Sequence, residues 1–581
     1  MEKNFFTSEK NVQIVIALLK KNGIKKVVAS PGTTNMTFVA SIQNDPFFEI
    51  YSSVDERSAA YLACGLAAES GEAVIISCTG ATASRNYMSG LTEAFYRKLP
   101  ILAITSHRGN HKVGHLFDQQ IDRRNIPNDI ANISVTIPMV RCDEDEKICA
   151  IEANKAILAL KRRGGGPAHI NIFTEYSTDF SIKELPKVKH IERYSAHDTY
   201  PDIDKYNRIA IFIGSHKNFS QNETKTIETF CEKNNSVVLC DHTSGYYGKY
   251  RIQYPLINSQ NGYWSNIEKI DLLIHIGEVS GSYFPRRVTE VWRVSEDGEI
   301  RDTFGKLTKV FEVSERIFFS HYCTKDKNDT SIYKEWEDEL SKTQSLIPEL
   351  PFGNIWIAQK TIPLLPQGCN LHLGILNTLR SWNFFNIDKS ITTNCNVGGF
   401  GIDGGVSTLV GASLANKDKL YFGVFGDLAF FYDMNVVGNR HIGNNIRIML
   451  INNGMGAEFR NYAHPCYPLG EEAEEFLAAA GHFGNKSPKL VKNYAEDLGY
   501  NYLSATNKEE FFKNVELFTT ATIEEKPIIF EIFTERQDES DALETILKLR
   551  MPEPENILKR KFKTAIRLGV EKINKVLNKE Q

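Results

Sequence analysis

Residues 419–454 read KLYFGVFGDLAFFYDMNVVGNRHIGNNIRIMLINNG and contain two apolar runs that each end in polar residues. The first run ends at Gly426 and Asp427, and the second ends at Asn452 and Asn453. Short apolar runs of this kind are typical of strands that are buried on both faces of a parallel sheet. Because ligand groups of such sheets collect at the carboxyl ends of the strands, the stretch predicts an α/β fold with a binding site at this edge.

Two of these strand ends carry oxygen ligands suited to a magnesium ion. Mg²⁺ prefers octahedral oxygen coordination, which it usually completes with one or two protein groups and with phosphate oxygens of a ligand. Asp427, Asn453 and the main-chain carbonyl of Met455 are the candidate metal ligands. The alternative is that the aspartate only forms a turn and the asparagine only caps a helix.

A glycine-rich loop upstream of this stretch supports a competing interpretation. Gly399, Gly401 and Gly404 form the pattern GxGxxG between a predicted strand and a predicted helix, an arrangement found in dinucleotide-binding proteins. On that interpretation the chain is an NAD-linked oxidoreductase, and Asn453 has no role.

The same alternation of apolar runs and helical segments extends along the whole chain and predicts three doubly wound α/β domains with parallel sheets. Polar segments separate the domains, which we expect at residues 1–185, 195–345 and 355–551. A lysine-rich amphipathic segment, residues 552–581, is expected to form a C-terminal helical tail.

Composition restricts the partners of the protein. The 581 residues carry a formal net charge of -4, which does not favour nucleic acid or an anionic membrane. The ten cysteines form no CxxC pair, and no apolar stretch reaches the length that spans a bilayer. A cytoplasmic protein that acts on a small molecule, without nucleic acid or membrane partners, is therefore expected.

A second candidate site lies near the N-terminus, where VDERSAA at residues 54–60 follows a strand-like run and begins an alanine-rich helix. Glu56 there is either an acidic residue that stabilises the helix N-terminus or a catalytic carboxylate.

Several motifs resemble thiamine diphosphate enzymes. SPGTTN (30–35), VDERSAAYLACGLA (54–67), CTGATASRNYMSGLTEA (78–94) and ITSHRG (104–109) resemble their pyrimidine-binding domain. NVGGFGIDGGVSTLVGASLAN (396–416), FGDLAFFYDMN (425–435) and INNGMGAEF (451–459) resemble their diphosphate-binding domain. Within this superfamily the resemblance is closest to the 2-succinyl-5-enolpyruvyl-6-hydroxy-3-cyclohexene-1-carboxylate synthases of the menaquinone pathway, and it is weak in the middle domain.

The resemblance implies thiamine diphosphate and Mg²⁺ as cofactors and assigns residues to them. Glu56 would hydrogen-bond N1′ of the aminopyrimidine, and Ile402, or alternatively Phe400, would support the bent cofactor. The remaining implied contacts to the cofactor are Gly426, Asp427, Leu428, Ala429, Asn453 and Met455. Because the family binds the two ends of the cofactor on different subunits, a homodimer or a dimer of dimers with the active site at the subunit interface is implied.

Substrate contacts are implied as well, with two departures from the family pattern. The implied substrate residues are Thr33, Arg108, Gln119, Arg286, Arg287 and Arg380. Glu458 is either a general acid or an ordinary loop residue. Thr34 and Val397 stand at two positions where the family carries arginine.

We therefore expect a thiamine diphosphate- and Mg²⁺-dependent carboligase or decarboxylase, a lyase or transferase, that acts on an anionic 2-oxo acid through a C2-ylide and an enamine. The synthase reaction itself, with 2-oxoglutarate as donor and isochorismate as acceptor, is the alternative, and the two missing arginines count against it. A non-catalytic protein that has kept the fold is a further alternative, which the presence of Glu56 opposes. Residues 190–340 contain no dinucleotide loop, so flavin is not expected.

Overall fold

The computed structural model describes residues 5–123, 126–263, 265–324 and 328–551. The predicted C-terminal tail, residues 552–581, lies outside the described residues. The chain forms two compact units. The first runs to Ser195 and also includes Gly298–Asp302 and Leu307–Val310, and the second contains the other described residues.

The first unit contains a six-stranded parallel sheet with strand order β2-β1-β3-β4-β6-β5. The strands of this unit are β1 (Lys26–Ala29), β2 (Glu49–Ser52), β3 (Val74–Cys78), β4 (Ile101–His107), β5 (Ser134–Ile137), β6 (Ala168–Phe173) and the separate β7 (Glu192–Ser195). Its helices are α1 (Lys10–Lys21), α2 (Met36–Ile42), α3 (Glu56–Ser70), α4 (Ala81–Asn86), α5 (Met88–Tyr96) and α6 (Asp143–Ala159). Ile75 packs into the core on one face of the sheet and Ile76 into the core on the other, so both faces are covered, as in a doubly wound fold.

The second unit begins with a sheet in which five strands follow the order β10-β9-β8-β11-β12, all in parallel pairs. The strands are β8 (Ile209–Ile213), β9 (Ser236–Cys240), β10 (Arg251–Gln253), β11 (Lys269–Ile276) and β12 (Arg287–Val294), and β13 (Leu307–Glu312) follows in the chain. The helices are α7 (Gln221–Asn234), α8 (Pro255–Asn258), α9 (Glu315–His321) and α10 (Ser331–Gln344).

The last sheet has the order β15-β14-β16-β17-β19-β18. Its strands are β14 (Asn370–Leu373), β15 (Thr392–Asn394), β16 (Tyr421–Gly426), β17 (Ile446–Asn452), β18 (Asn501–Ala505) and β19 (Ile528–Phe533). The helices are α11 (Asn354–Thr361), α12 (Asn377–Trp382), α13 (Gly405–Ala415), α14 (Asp427–Tyr432), α15 (Glu472–Phe476), α16 (Leu490–Asp497), α17 (Lys508–Phe518) and α18 (Arg536–Leu547). Numbered within its own sheet, the strand order is 2-1-3-4-6-5, the same as in the first sheet.

These three parallel sheets with their helices confirm the predicted fold class. The exact domain boundaries stay a prediction, because the two compact units do not test them. Among the described residues, no helix combines the length and apolar character that crossing a membrane requires.

Helix α3 is held in a fixed place by a close contact with α5. A Cβ atom added to Gly90 would lie only 2.4 Å from Cβ of Ala60, so the absence of a side chain lets the two helices approach. The Cys64 thiol donates a hydrogen bond to the carbonyl of Gly90 (3.3 Å). At the start of the helix, Asp55 accepts a hydrogen bond from the backbone N–H of Arg57 (3.1 Å), which is a typical N-cap. This packing fixes the position of Glu56, the first residue of the helix.

Candidate functional site

Asp427 is a buried carboxylate at the end of strand β16. Its side chain is 4% exposed and accepts hydrogen bonds from the backbone N–H groups of Leu428 (2.7 Å) and Gly454 (2.6 Å). Burial raises the pKa of Asp427 to about 6, although these N–H groups oppose the shift. In the part of the chain that the structure describes, no lysine or arginine forms an ion pair with it. A buried carboxylate without a compensating cation is a suitable ligand for a metal ion.

The loop after β17 folds against Asp427. Because the parallel strands β16 and β17 are neighbours, the Gly454 N–H reaches the carboxylate directly. Gly454 has φ +80°, a left-handed conformation that favours glycine. Asn453 accepts a hydrogen bond from the N–H of Met455 (3.3 Å). The loop is thus folded tightly beside Asp427. The carboxylate of Asp427, the side-chain amide of Asn453 and the main-chain carbonyl of Met455 are oxygen ligands of the kind that fits Mg²⁺.

Two further buried carboxyl groups belong to the same unit, Glu531 on β19 and Glu539 on α18. Glu531 accepts hydrogen bonds from Asn452 (2.7 Å) and Tyr502 (2.7 Å), and burial raises its pKa. Glu539 accepts hydrogen bonds from the N–H of Asn354 (2.9 Å) and the hydroxyl of Thr534 (2.8 Å). Burial raises the pKa of Glu539 to about 7. Asp427, Glu531 and Glu539 therefore all have raised pKa values, because burial disfavours the charged form of each carboxyl group.

The raised pKa of Glu539 predicts a pH-dependent stability. Between the usual glutamate pKa and about 7 the folded protein binds more protons than the unfolded chain, so the free energy of unfolding falls as the pH rises. Glu539→Gln removes this decline. We expect the difference in apparent Tm, wild type minus Glu539→Gln, to be larger at pH 5 than at pH 8. The change corresponds to about 1–3 kcal/mol in the free energy of unfolding. Glu525→Gln, at an exposed glutamate, should show no such difference; an equal difference in both variants would contradict the assignment.

The glycine-rich loop lies between β15 and α13, as the sequence predicted. Phe400 is 42% exposed and has φ +56°, an uncommon conformation for a bulky residue. Ile402 packs against the core that contains Val406 and Phe425. Of the two candidates for supporting the cofactor, Ile402 is therefore the more firmly held.

Glu56 occupies the first position of α3 with its side chain half-buried. One carboxylate oxygen accepts a hydrogen bond from the amide nitrogen of Asn86 (3.0 Å), a contact that the sequence did not reveal because Asn86 belongs to another helix. The other oxygen accepts no hydrogen bond from the described residues. Glu56 is thus oriented by one neighbour and keeps one oxygen free for a ligand.

Arg380 and Glu458 form a bidentate ion pair. The two guanidinium nitrogens donate to the two carboxylate oxygens over 2.6 Å and 2.9 Å, and one nitrogen also donates to Asn377 (2.9 Å). The Glu458 carboxylate thus binds Arg380 in the geometry with which arginine binds carboxylates generally. The loop glutamate is therefore not an ordinary solvated residue.

The remaining substrate candidates differ in their surroundings. Arg108 donates to the carbonyl of Asp118 and lies 3.2 Å from its carboxylate. Thr33 and Gln119 are exposed, and Gln119 has φ +53°.

Arg286 is exposed, whereas Arg287 is half-buried and donates to the carbonyl of Ser265 (3.4 Å). Val397, at one of the two positions that lack the expected arginine, is 3% exposed. A buried valine gives this position no charge with which to bind a carboxylate.

Thr34 occupies the other position without the expected arginine, and its hydroxyl joins three strand ends. It hydrogen-bonds the hydroxyl of Thr79 (2.5 Å) and that of Ser106 (2.6 Å), and it accepts from the N–H of Gly80 (3.0 Å). The threonine is thus a buried structural residue, and its position offers no charge to a ligand.

Comparisons with known proteins identify the relatives of this chain. Residues 10–126 match a family model described as thiamine pyrophosphate enzyme, N-terminal TPP binding domain. The chain is similar to a 2-succinyl-5-enolpyruvyl-6-hydroxy-3-cyclohexene-1-carboxylate synthase of Phocaeicola vulgatus, with 30% identity over 560 residues that cover 93% of this chain and 98% of the relative. The synthase of Bacteroides thetaiotaomicron is 30% identical over 568 residues, with the same coverage of both chains. The synthase of Flavobacterium johnsoniae is 28% identical over 554 residues, covering 90% of this chain and 95% of the relative. The similarity therefore includes the middle region, where the sequence motifs alone were weak.

Proposed function

Because the chain belongs to the 2-succinyl-5-enolpyruvyl-6-hydroxy-3-cyclohexene-1-carboxylate synthase family of thiamine diphosphate-dependent enzymes, we propose that it catalyses the synthase reaction. In this reaction 2-oxoglutarate loses CO₂ and the remaining four-carbon unit is added to isochorismate. The observation that carries the proposal is similarity over nearly the full length of both chains. This similarity favours the synthase reaction over a broader carboligase or decarboxylase activity, although Thr34 and Val397 replace two expected arginines.

When bound, thiamine diphosphate would supply the carbon nucleophile and the electron sink that decarboxylation of a 2-oxo acid requires. The protein must hold the pyrimidine in the required protonation state, and we assign this role to Glu56. The free carboxylate oxygen of Glu56 would accept a hydrogen bond from a ring N–H of the cofactor, while Asn86 holds the other oxygen in place. Asn86 is therefore a positioning residue.

The diphosphate end requires a cation, for which Asp427 and Asn453 offer side-chain oxygens and Met455 a main-chain carbonyl. The buried, uncompensated charge of Asp427 supports this proposal, since a divalent ion would neutralise it. Gly426, Leu428 and Ala429 surround Asp427 and would contact the diphosphate.

The proposal includes a second copy of the chain. Glu56 belongs to the first compact unit and Asp427 to the second. We propose that Glu56 of one protomer and Asp427 of its partner complete one active site in a homodimer or a dimer of dimers, and that the enzyme acts in the cytoplasm.

Arg380 is the proposed binding group for a carboxylate of the substrate. Glu458 already accepts hydrogen bonds from both terminal nitrogens of the Arg380 guanidinium, as a bound carboxylate would. A substrate carboxylate must therefore take the place of Glu458. The exchange keeps the half-buried guanidinium paired throughout, which avoids the cost of an isolated charge.

The ion pair predicts opposite effects of two substitutions. Glu458→Gln weakens the internal competitor, so we expect KM for 2-oxoglutarate to fall about 2- to 10-fold, whereas Arg380→Gln should raise KM about 30-fold or more through loss of a charge-assisted bidentate contact. Steady-state kinetics with each substrate varied in turn provides the measurement. Arg440→Gln, at an exposed arginine, is the matched control. A Glu458→Gln variant with an unchanged KM and a kcat at least 100-fold lower would instead assign Glu458 as the general acid.

The proposed function is tested by incubating the purified protein with thiamine diphosphate, Mg²⁺, 2-oxoglutarate and isochorismate. We expect CO₂ release and consumption of isochorismate in equal amounts, both lost when thiamine diphosphate is omitted. CO₂ release with another 2-oxo acid but none with 2-oxoglutarate would reject the synthase and keep the broader carboligase. Saturable binding of NAD in place of thiamine diphosphate would support the dinucleotide interpretation of the glycine loop.

A further inference from the structure

Arg123 is a buried cation without a carboxylate partner. Its side chain is 7% exposed, and one terminal nitrogen donates to the carbonyl of Ser106 (2.7 Å). The other terminal nitrogen and Nε are buried and have no hydrogen-bond partner. Among the described residues, no aspartate or glutamate forms an ion pair with it. A buried guanidinium left in this state is costly, so the site is suited to an anion that the chain itself does not provide.

Two of the four predicted substrate arginines are in a different state. Arg108 is paired with Asp118 and Arg380 with Glu458. The unpaired donors of Arg123 therefore do not follow from a general shortage of carboxylates in the protein. Arg123 has no such carboxylate partner among the described residues.

Arg123 and Thr34, which stands where an arginine is expected, contact the same residues. Both residues bind Ser106, Thr34 through the serine hydroxyl and Arg123 through the serine carbonyl. A Cβ atom on Gly80 would lie 3.6 Å from a guanidinium nitrogen of Arg123, and the N–H of Gly80 donates to Thr34. Arg123 and Thr34 therefore have Ser106 and Gly80 as common neighbours.

The pKa shifts of Arg123 and of two neighbouring histidines also indicate a buried positive charge without a counterion. The pKa of Arg123 is lowered to about 10, mainly by burial and to a smaller extent by the charge of Arg85, while Cys78 opposes the shift. Burial, followed by the charge of Arg123, lowers the pKa of His107 to about 4 and that of His169 to about 3. Both histidines are therefore neutral at pH 7, and a histidine cannot in either protonation state supply the negative charge that would balance Arg123.

We propose that Arg123 is a specificity-determining residue that binds a carboxylate group of the substrate and replaces the guanidinium absent at Thr34. The inference rests on the proposed function for the identity of the substrate. It adds a binding residue at a position to which neither the motifs nor the comparisons point.

In this proposal the substrate carboxylate approaches Arg123 from the side of the loop that precedes Arg123 in the chain, because the cavity on the other side is too small. The cavity on the inner side, lined by Tyr87, His169 and Arg123 among others, measures about 20 Å³, which is the size of a single water molecule. The loop is attached through Arg108, which donates to the carbonyl of Asp118, and through Arg85, which donates to that of Asp122 (2.8 Å). Anionic ligands compete well for such donors, so substrate binding can shift the loop and expose the guanidinium.

The test separates carboxylate binding from turnover. Isothermal titration calorimetry of the holoenzyme with 2-oxoglutarate and, separately, with isochorismate identifies which substrate carries the carboxylate. For that substrate we expect Arg123→Met to raise Kd about 20- to 200-fold and Arg123→Lys to restore only part of the affinity, because lysine lacks the planar fork. The Kd for thiamine diphosphate should stay within about twofold of the wild type. Arg141→Met, at an exposed arginine, is the matched control.

Each outcome decides the inference. Wild-type affinity for both substrates in a folded Arg123→Met or Arg123→Lys variant overturns it, as does a wild-type holoenzyme that binds neither compound. A purely structural arginine would lower the Tm and leave the Kd of the lysine variant unchanged. If Arg123→Met abolishes carboxylate binding but the wild type forms no product, the anion site stands and the proposed function fails.

Discussion

Glu56→Gln is expected to lower kcat about 10²- to 10⁴-fold, the range for loss of a positioned proton-transfer group. The glutamine keeps the size of the side chain, and its amide can still contact Asn86. It cannot carry the negative charge that holds a proton on a pyrimidine nitrogen. We therefore expect thiamine diphosphate to bind with a Kd within about tenfold of the wild type, because most of the binding groups are unchanged. Single-turnover kinetics with saturating cofactor, beside calorimetric titration of the cofactor, measures both quantities.

A matched control lies on the same helix. Glu69 is exposed near the end of α3, and Glu69→Gln changes the same charge without touching the site. A wild-type rate in Glu56→Gln, or an equal loss of rate in both variants, would remove Glu56 from the mechanism. Asn86→Ala offers a further comparison. Because it only releases one oxygen of Glu56, it should lower kcat less than Glu56→Gln does and shift the pH profile of kcat.

The parts of the molecule that depend on local sequence could be predicted. The apolar runs that end at Gly426 and Asn452 became the adjacent strands β16 and β17, since buried parallel strands require such continuous apolar sequence. Glu56 begins a helix, as the strand-to-helix pattern around it indicated. The resemblance to thiamine diphosphate enzymes is confirmed by the match of residues 10–126 and by the full-length relatives.

Contacts between distant residues could not be predicted in this way. The pairing of Arg380 with Glu458 joins residues 78 positions apart, and no local pattern distinguishes a paired arginine from a solvated one. The burial of Arg123 depends on its packing beside Ser106 and Gly80, which belong to other segments. Such sites were therefore missed or left ambiguous, since side-chain environment is set by tertiary packing and not by spacing.

Asp427→Asn is the substitution with the largest expected effect on cofactor binding. The carboxylate is buried and receives N–H donors from Leu428 and Gly454, so a neutral amide of the same shape keeps part of this network. It loses the charge that attracts a divalent ion, and hard cations prefer charged oxygen ligands. We expect the Kd for thiamine diphosphate at saturating Mg²⁺ to rise at least about 100-fold, and the dependence of binding on Mg²⁺ to disappear.

Titration of thiamine diphosphate into the protein at several Mg²⁺ concentrations measures this linkage directly. Asp418→Asn, at an exposed aspartate on the approach to β16, should behave as the wild type, with an affinity that increases with Mg²⁺. An Asp427→Asn protein that still binds the cofactor tightly and with Mg²⁺ dependence would place the metal elsewhere. Because the uncompensated charge of Asp427 is the main physical argument for a cation at this strand end, that result would also remove Asn453 and Met455 as ligands.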